Sequence, residues 1–431
     1  MSTQSHSSAI PRLIVHGGAG NITRKNLPPA QWRAYRTALL SILRSTRALL
    51  AKPDTTAIDA ATHAVTLLED IPLFNASHGA VFTRAGTTEL EASVMVSRGK
   101  RKRGCGVILL RKVKHPILLA KEMLLRGEAD DGGGAYGHVQ LAGTEAERLA
   151  EQWGLEMVDP GYFWTKKRWE EHLRGLEKES CVSESGVKGN PSWDAEEYLP
   201  QGTVGCVVMD QWGTVCVATS TGGITNKLEG RIGDTPTLGA GFWAEEWTGE
   251  TISSGPLYSQ PAPPRVAAPG GDLLSFLGDC LPGFPSSSST SYEASEQWSE
   301  KGRSAYTRAV ATGGTGNGDS FLRLSACRSA ASIARFSSHP LRSLQSAVTQ
   351  IAGPGGELQQ SAGDRWHKTG EGEGGMIGIE VVTDANGIKG SVVADFNCGG
   401  LFRVWVDDRG KERAMVFRDE YPEAEEADVA R

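Results

Sequence analysis

The 431-residue chain has no CxxC pair, no HExxH, no GxSxG elbow and no GxxxxGK[ST] loop. Each absence removes a class of chemistry. Seven cysteines, an odd number without regular spacing, point to free thiols in a reducing compartment rather than a disulfide framework. Nine histidines without ligand spacing leave His16 and His78 as core or loop residues rather than metal ligands. Ser-His-Asp hydrolysis lacks its nucleophile elbow, and Gly316-Asn317-Gly318 lacks the surrounding βαβ unit and the lysine that a phosphate loop needs. No apolar run is long enough to span a bilayer and Met1 to Ile10 has no apolar leader core, so a cytoplasmic location without a membrane partner is expected. A net charge of −6 gives no electrostatic footprint for nucleic acid.

The length is enough for a large core, read here as one domain with insertions. The 53 glycines cluster in short loops without a G-X-Y period, which fits tight turns and close backbone approaches. Leu13-Ile14-Val15 reads as a strand running into His16-Gly17-Gly18-Ala19-Gly20. Trp32, Tyr35, Leu39, Ile42 and Leu43 recur at helical steps; Thr55 or Thr56 can cap a second helix with Ile58, Ala61, Val65 and Leu68 on its buried face. Leu90 to Met95 and Val107 to Leu110 read as strands, and Pro116 to Leu125 as a helix. Leu176 to Pro200 has few core residues and reads as an exposed linker. Residues 253–304 are crowded with Pro, Ser and Gly and read as a disordered insertion. A helix from Phe321 to Ile333 and a closing hairpin from Met376 to Asp395 complete the ordered part, before an acidic tail at Glu423 to Glu426.

The centre of the chain is the stretch from Gln201 to Gly223. Val204, Cys206 and Val208 alternate, Thr214 to Ala218 is rich in strand formers, and Gln211-Trp212-Gly213 reads as the loop of a hairpin. A three-residue loop pairs Asp210 with Thr214 and puts Thr203 opposite Thr221; a two-residue loop shifts this by one position. Two readings of the threonines stand side by side. They form a cross-strand packing pair, or Thr203 is a nucleophile that becomes N-terminal when the chain before it is cut, so that its own α-amine serves as base. Arg231 and Asp234, three residues apart, either hold the carboxylate and ammonium of an amino acid or form a surface salt bridge.

Taken together, His16 to Gly20, Phe74-Asn75-Ala76, Gly202-Thr203-Val204-Gly205, Thr219 to Gly223, Asn226-Lys227, Gly230 to Asp234, Gly239-Ala240-Gly241 and Thr315 to Gly318 resemble, in order, the plant-type L-asparaginase and isoaspartyl peptidase family of N-terminal-nucleophile (Ntn) hydrolases. The resemblance implies an α+β fold, a four-layer αββα sandwich, made as a precursor that cuts itself between Gly202 and Thr203. Residues 1–202 and 203–431 would stay together as one domain and pair into a dimer of cleaved units. It implies Thr203 as nucleophile, Thr221 hydrogen-bonded to it, Thr315 and the Gly316 amide as oxyanion hole, and Asn75 as support. Arg231, Asp234 and the Gly318 carbonyl would bind the substrate, a small molecule: L-asparagine or a β-aspartyl dipeptide. No cofactor is implied for catalysis; a structural sodium ion would lie in the loop carrying Leu68, Phe74 and Ala76, held by carbonyl oxygens. Ser77 and His78 depart from the family's usual small residues, and Asp319 replaces its common Glu. Related readings are a threonine aspartase, a glycosylasparaginase, and an unprocessed pseudoenzyme that binds partners through its insertion.

Overall fold

A computed structural model describes residues 9–185, 202–252, 303–337 and 343–421. By its internal contacts the chain divides into a large unit, residues 1–249 with 306–431, and a small one, residues 250–305. Most of the small unit, and with it the expected insertion as far as residue 302, lies outside the described residues, as does the acidic tail; residues 303 and 304 are already strand.

The apolar run Leu13-Ile14-Val15 leading into a glycine-rich end makes β1 (Arg12–Gly20), followed by α1 (Pro29–Leu50) and α2 (Ala57–Glu69). Thr56 starts α2 with a capping box: its hydroxyl accepts from the Asp59 amide at 3.2 Å while the Asp59 carboxylate accepts from the Thr56 amide. Then come β2 (Leu90–Val96), β3 (Gly104–Leu110), α3 (Pro116–Arg126), β4 (Gln140–Ala142), α4 (Gly143–Gln152) and α5 (Lys166–Ser185). The expected linker from Leu176 is therefore helical as far as Ser185; its remainder lies outside the described residues.

The central hairpin is β5 (Val204–Met209) and β6 (Val215–Thr221). Its loop has three residues: Asp210 N donates to Thr214 O at 3.0 Å and Gly213 takes φ 79°. The ladder runs from Met209 opposite Val215 to Val204 opposite Ser220, so Thr203 continues it opposite Thr221. β7 (Phe242–Ile252) and β8 (Arg303–Gly316) follow, then α6 (Gly318–Leu324) and α7 (Ala326–Phe336). The single helix expected from Phe321 to Ile333 is broken at Ser325, whose φ of 46° is left-handed and cannot continue an α-helix. α8 (Leu344–Ala352) and α9 (Glu357–Ala362) precede the hairpin of β9 (Gly374–Asp384) and β10 (Gly387–Phe396); β11 (Gly400–Val406) and β12 (Glu412–Met415) follow it.

Two sheets result, one in the order β12-β11-β1-β5-β6-β2-β3-β4 and one in the order β10-β9-β8-β7. Their apolar residues fall into three clusters. Leu13, Val15, Val204, Cys206 and Val208 pack with Leu39, Val65 and Leu68 of α1 and α2. From the opposite faces of the same strands, Ile14, Val207, Met209 and Val217 pack with Phe242, Ala309, Ala311 and Ile379 of the second sheet. Val310 and Met376 pack with Ala330 and Val348 of α7 and α8. Strands buried on both faces need no polar alternate positions, hence the near-continuous apolar runs of β5 and β6. Among the described residues no helix is long and apolar enough to cross a membrane.

Candidate active site

The ladder delivers Thr203 to the edge of a buried hydroxyl network. Its Oγ lies 2.6 Å from Thr235 Oγ. The Thr235 carbonyl accepts from Ser93 Oγ at 2.7 Å, and Ser93 Oγ in turn lies 2.7 Å from Thr219 Oγ. All four side chains are buried, so each hydroxyl depends on the others for its partner. The bond expected between Thr203 and Thr221 is replaced by this one: Thr221 Oγ accepts from Gly223 N at 3.0 Å instead. Register sets backbones opposite each other, but rotation of the side chain decides which donor the hydroxyl reaches.

Gly202 joins this network to the end of β8. A Cβ added to Gly202 would stand 2.6 Å from both Thr315 Oγ and Ala19 N and 2.8 Å from Gly18 Cα. Only glycine fits there. Thr315 Oγ accepts from Ala19 N at 3.2 Å, which fixes the hydroxyl beside the Gly202–Thr203 peptide. Gly316 follows at φ 140°, where a Cβ would press on Gly374 Cα at 2.5 Å. On β1, one step before these glycines, His16 is fully buried with Nε2 only 2.5 Å from where a Gly205 Cβ would stand. Burial pushes its imidazole down to about 3, against a smaller opposing effect of the Thr203 backbone. The ring lies beside that backbone, with neither nitrogen in hydrogen-bond geometry to a described residue.

Arg231, Asp234 and Gly318 come together one residue from Thr235. Gly318 packs directly on Asp234 Oδ1, and a Cβ there would also meet the Arg231 guanidinium at 3.0 Å. Burial pushes the Asp234 carboxyl up to about 7; Arg231 opposes the shift and Glu91 adds to it. Asp234 Oδ2 has no hydrogen-bond partner among the described residues. Arg231 is held by Asp319 at 3.0 Å. A buried carboxylate oxygen without a hydrogen-bond partner among the described residues, beside a guanidinium, has the chemistry to take one cationic and one anionic group. Beneath them Glu91, itself buried, accepts from Gly233 N at 3.0 Å, and burial raises its carboxyl above the usual range against the pull of Lys227.

Asn75 braces the turn after β6: Nδ2 donates to Gly223 O at 2.7 Å, Oδ1 accepts from Val81 N at 3.0 Å, and its carbonyl accepts from Gly222 N. Leu68 lies in the last turn of α2, and Phe74 and Ala76 on the bend after it, where Ser77 and Gly79 take φ of 42° and 121°. A Cβ on Gly79 would stand 2.7 Å from the Phe74 carbonyl oxygen and 2.9 Å from that of Pro72, so carbonyls converge inside the bend, a donor set suited to a hard cation. Leu68 O already accepts from Ile71 N at 3.3 Å. Among the described residues no cluster of His, Cys, Asp and Glu could hold a metal.

Thr235, Glu91 and Ser93 escape sequence reasoning. Thr235 carried a signal, a hydroxyl directly after the Gly230 to Asp234 motif; Glu91 carried another, a charge within a fully buried strand.

A family model described as Asparaginase matches residues 9–255. The chain belongs to this family of plant-type asparaginases and isoaspartyl peptidases, which are Ntn hydrolases. Among individual relatives, it is 40% identical over 233 residues to the isoaspartyl peptidase of Salmonella typhimurium, covering 54% of this chain and 69% of that one. It is 38% identical over 232 residues to the isoaspartyl peptidase of Escherichia coli, covering 54% and 67%. It is 35% identical over 242 residues to the plant-type L-asparaginase of Pyrococcus furiosus, covering 56% and 72%. The family match includes Thr203, Arg231 and Asp234 and ends before Thr315 and Gly318.

Proposed function

We propose that the chain is a self-processing amidohydrolase acting on L-asparagine, β-aspartyl dipeptides or both, built as an αββα sandwich. The three core clusters support that layering: helices against the first sheet, sheet against sheet, and helices against the second. The observation that carries the function is the seating of the Gly202–Thr203 peptide. The Thr203 hydroxyl is hydrogen-bonded to that of Thr235, and the Thr315 hydroxyl stands against Gly202.

In processing, Thr203 Oγ attacks the Gly202 carbonyl carbon, the C–N bond breaks, and the Gly202 acyl group passes to Oγ as an ester while the nitrogen becomes a free α-amine. Water hydrolyses the ester, leaving a Gly202 carboxylate and an N-terminal Thr203. In turnover that amine takes the Oγ proton as Oγ attacks the side-chain amide of the substrate. Thr315 Oγ and Gly316 N–H stabilise the oxyanion, a contribution of about 3–4 kcal/mol for one donor. Ammonia or an amino acid leaves with the proton, and water frees aspartate from the ester. Arg231 binds the substrate α-carboxylate; Asp234 with the Gly318 carbonyl binds its α-ammonium. Asn75 holds the turn that carries Thr221. Sodium in the bend at Leu68, Phe74 and Ala76 and dimerisation of the cleaved unit belong to the same reading, in a reducing compartment where the described cysteines remain thiols.

The mass of the purified, aged protein tests it. Two fragments meeting at Gly202/Thr203 are expected, with Thr203→Ala remaining a single chain and hydrolysing neither substrate. A wild-type chain that stays whole and inactive on both sinks the proposal.

A further inference from the structure

Upstream of the cleavage point, α5 buries a polar face. Arg168 is fully buried; its Nε donates to Gly79 O at 2.8 Å and its Nη1 to Glu171 at 2.8 Å. Trp169 stands edge-on to Phe82, with ring centroids 5.2 Å apart. His172 is buried with Nδ1 donating to Asn226 Oδ1 at 2.5 Å, while Asn226 Nδ2 donates back to the His172 carbonyl at 3.1 Å. Gly175 packs directly on the Asn226 amide, so a side chain there would push α5 away.

Asn226 opens the segment that ends in Arg231 and Asp234, and it is held at φ 59°. An asparagine in the left-handed region persists when its surroundings specify it. Here those surroundings come from two sides. Asn226 N donates to Phe82 O at 2.9 Å and Arg84 N to Lys227 O at 2.8 Å, and Trp169 and His172 pack on Phe82. The start of the segment thus rests on α5 directly through His172 and indirectly through Phe82. The next anchors along it are Lys227 Nζ on Glu89 O at 2.7 Å and Gly230 N on the Glu89 carboxylate at 2.9 Å.

We infer that α5 is a strut for substrate binding: through the reciprocal His172–Asn226 bonds it fixes the loop 224–234 in the shape that presents Arg231 and Asp234. His172 is a positioning residue, since none of its described contacts is with Thr203, Arg231 or Asp234. The kinetic part of this inference rests on the proposed hydrolase function. The strut lies on the N-terminal side of the cut, so the cleaved unit needs the first fragment to hold a loop of the second.

His172→Ala, Asn226→Gly and the double variant, each in the full chain, test this. Hydrogen exchange over 224–234 is expected to accelerate about tenfold in His172→Ala, the equivalent of one or two buried hydrogen bonds, while α1 and α2 keep their protection. KM should rise by a similar factor with kcat and self-cleavage little changed. Glycine is at ease at φ 59°, so Asn226→Gly probes the same tie with the backbone relaxed and stands in should His172→Ala not fold. The double variant should match the worse single one, because both remove one interaction. Unchanged exchange in 224–234 in the folded variants, or additive effects in the double variant, overturns the strut. A wild type that hydrolyses neither substrate overturns the functional reading instead, and the exchange measurement still decides the strut.

Discussion

Asp234 carries opposite demands. Its carboxyl titrates at about 7 in the fold against an ordinary 3.8. The folded chain therefore holds a proton there that the unfolded chain has lost, so this group's contribution to stability is full below about pH 4 and is lost as pH rises through 7. Binding an ammonium needs the ionised form, so kcat/KM should rise over the same range in which stability falls. Asp234→Asn should show a Tm a few degrees higher than wild type at pH 8, with that advantage gone at pH 4, and should have lost substrate binding; Tm against pH for both proteins checks the sign. Thr235 touches the proposed nucleophile instead. Replacing it by valine keeps the shape and removes the oxygen 2.6 Å from Thr203 Oγ, and kcat should fall by about tenfold or more with little change in KM, given the worth of a buried hydroxyl bond. Steady-state kinetics separate the two effects.

Elements were legible where packing is apolar. The hairpin of β5 and β6 could be registered from the sequence to within one residue, since Val204, Cys206 and Val208 mark its first strand; Gly213 at φ 79° and the Asp210–Thr214 bond select the three-residue loop. The start of α2 could be placed from the sequence at Thr55 or Thr56; the reciprocal bonds with Asp59, three residues after Thr56, decide between them. Thr56→Ala should cost about 1 kcal/mol, read as a lower denaturation midpoint with unchanged slope. In α5 the inward residues are Arg168, Glu171 and His172, so apolar periodicity does not mark this helix, and its end from Leu176 reads as the start of an exposed linker. α7 hides differently: its core face is Ala326, Ala330, Ala331 and Ala334, too small to mark an edge, and Ser325 divides it from α6. The candidate site divides along the same line. Motif residues such as Arg231 and Asp234 could be named, whereas the partner of Thr203 depended on a side-chain rotation that no spacing encodes.

At the scale of the molecule, the cut would fall inside a sheet whose strands come from both sides of Gly202. β1 lies between β11 and β5, and β6 pairs with β2, so the segments before and after Gly202 interleave. The two fragments should therefore run as one species by gel filtration and native mass spectrometry and separate only in denaturant; fragments that part in buffer would contradict this topology. The interleaving also orders events in time. β1 leaves the ribosome with neither of its neighbours yet made, and it must wait for a strand nearly 200 residues later and another nearly 400 later. Such distant pairings form slowly. While the chain is whole, those partners are tethered and the search is a matter of one molecule. Severed before it had folded, the same chain would become two solutes that must meet by diffusion, at a rate set by their concentration. Under the proposed processing, the peptide bond at Gly202 would be a scaffold for assembly, needed until β5 has docked beside β1 and cut only from then on.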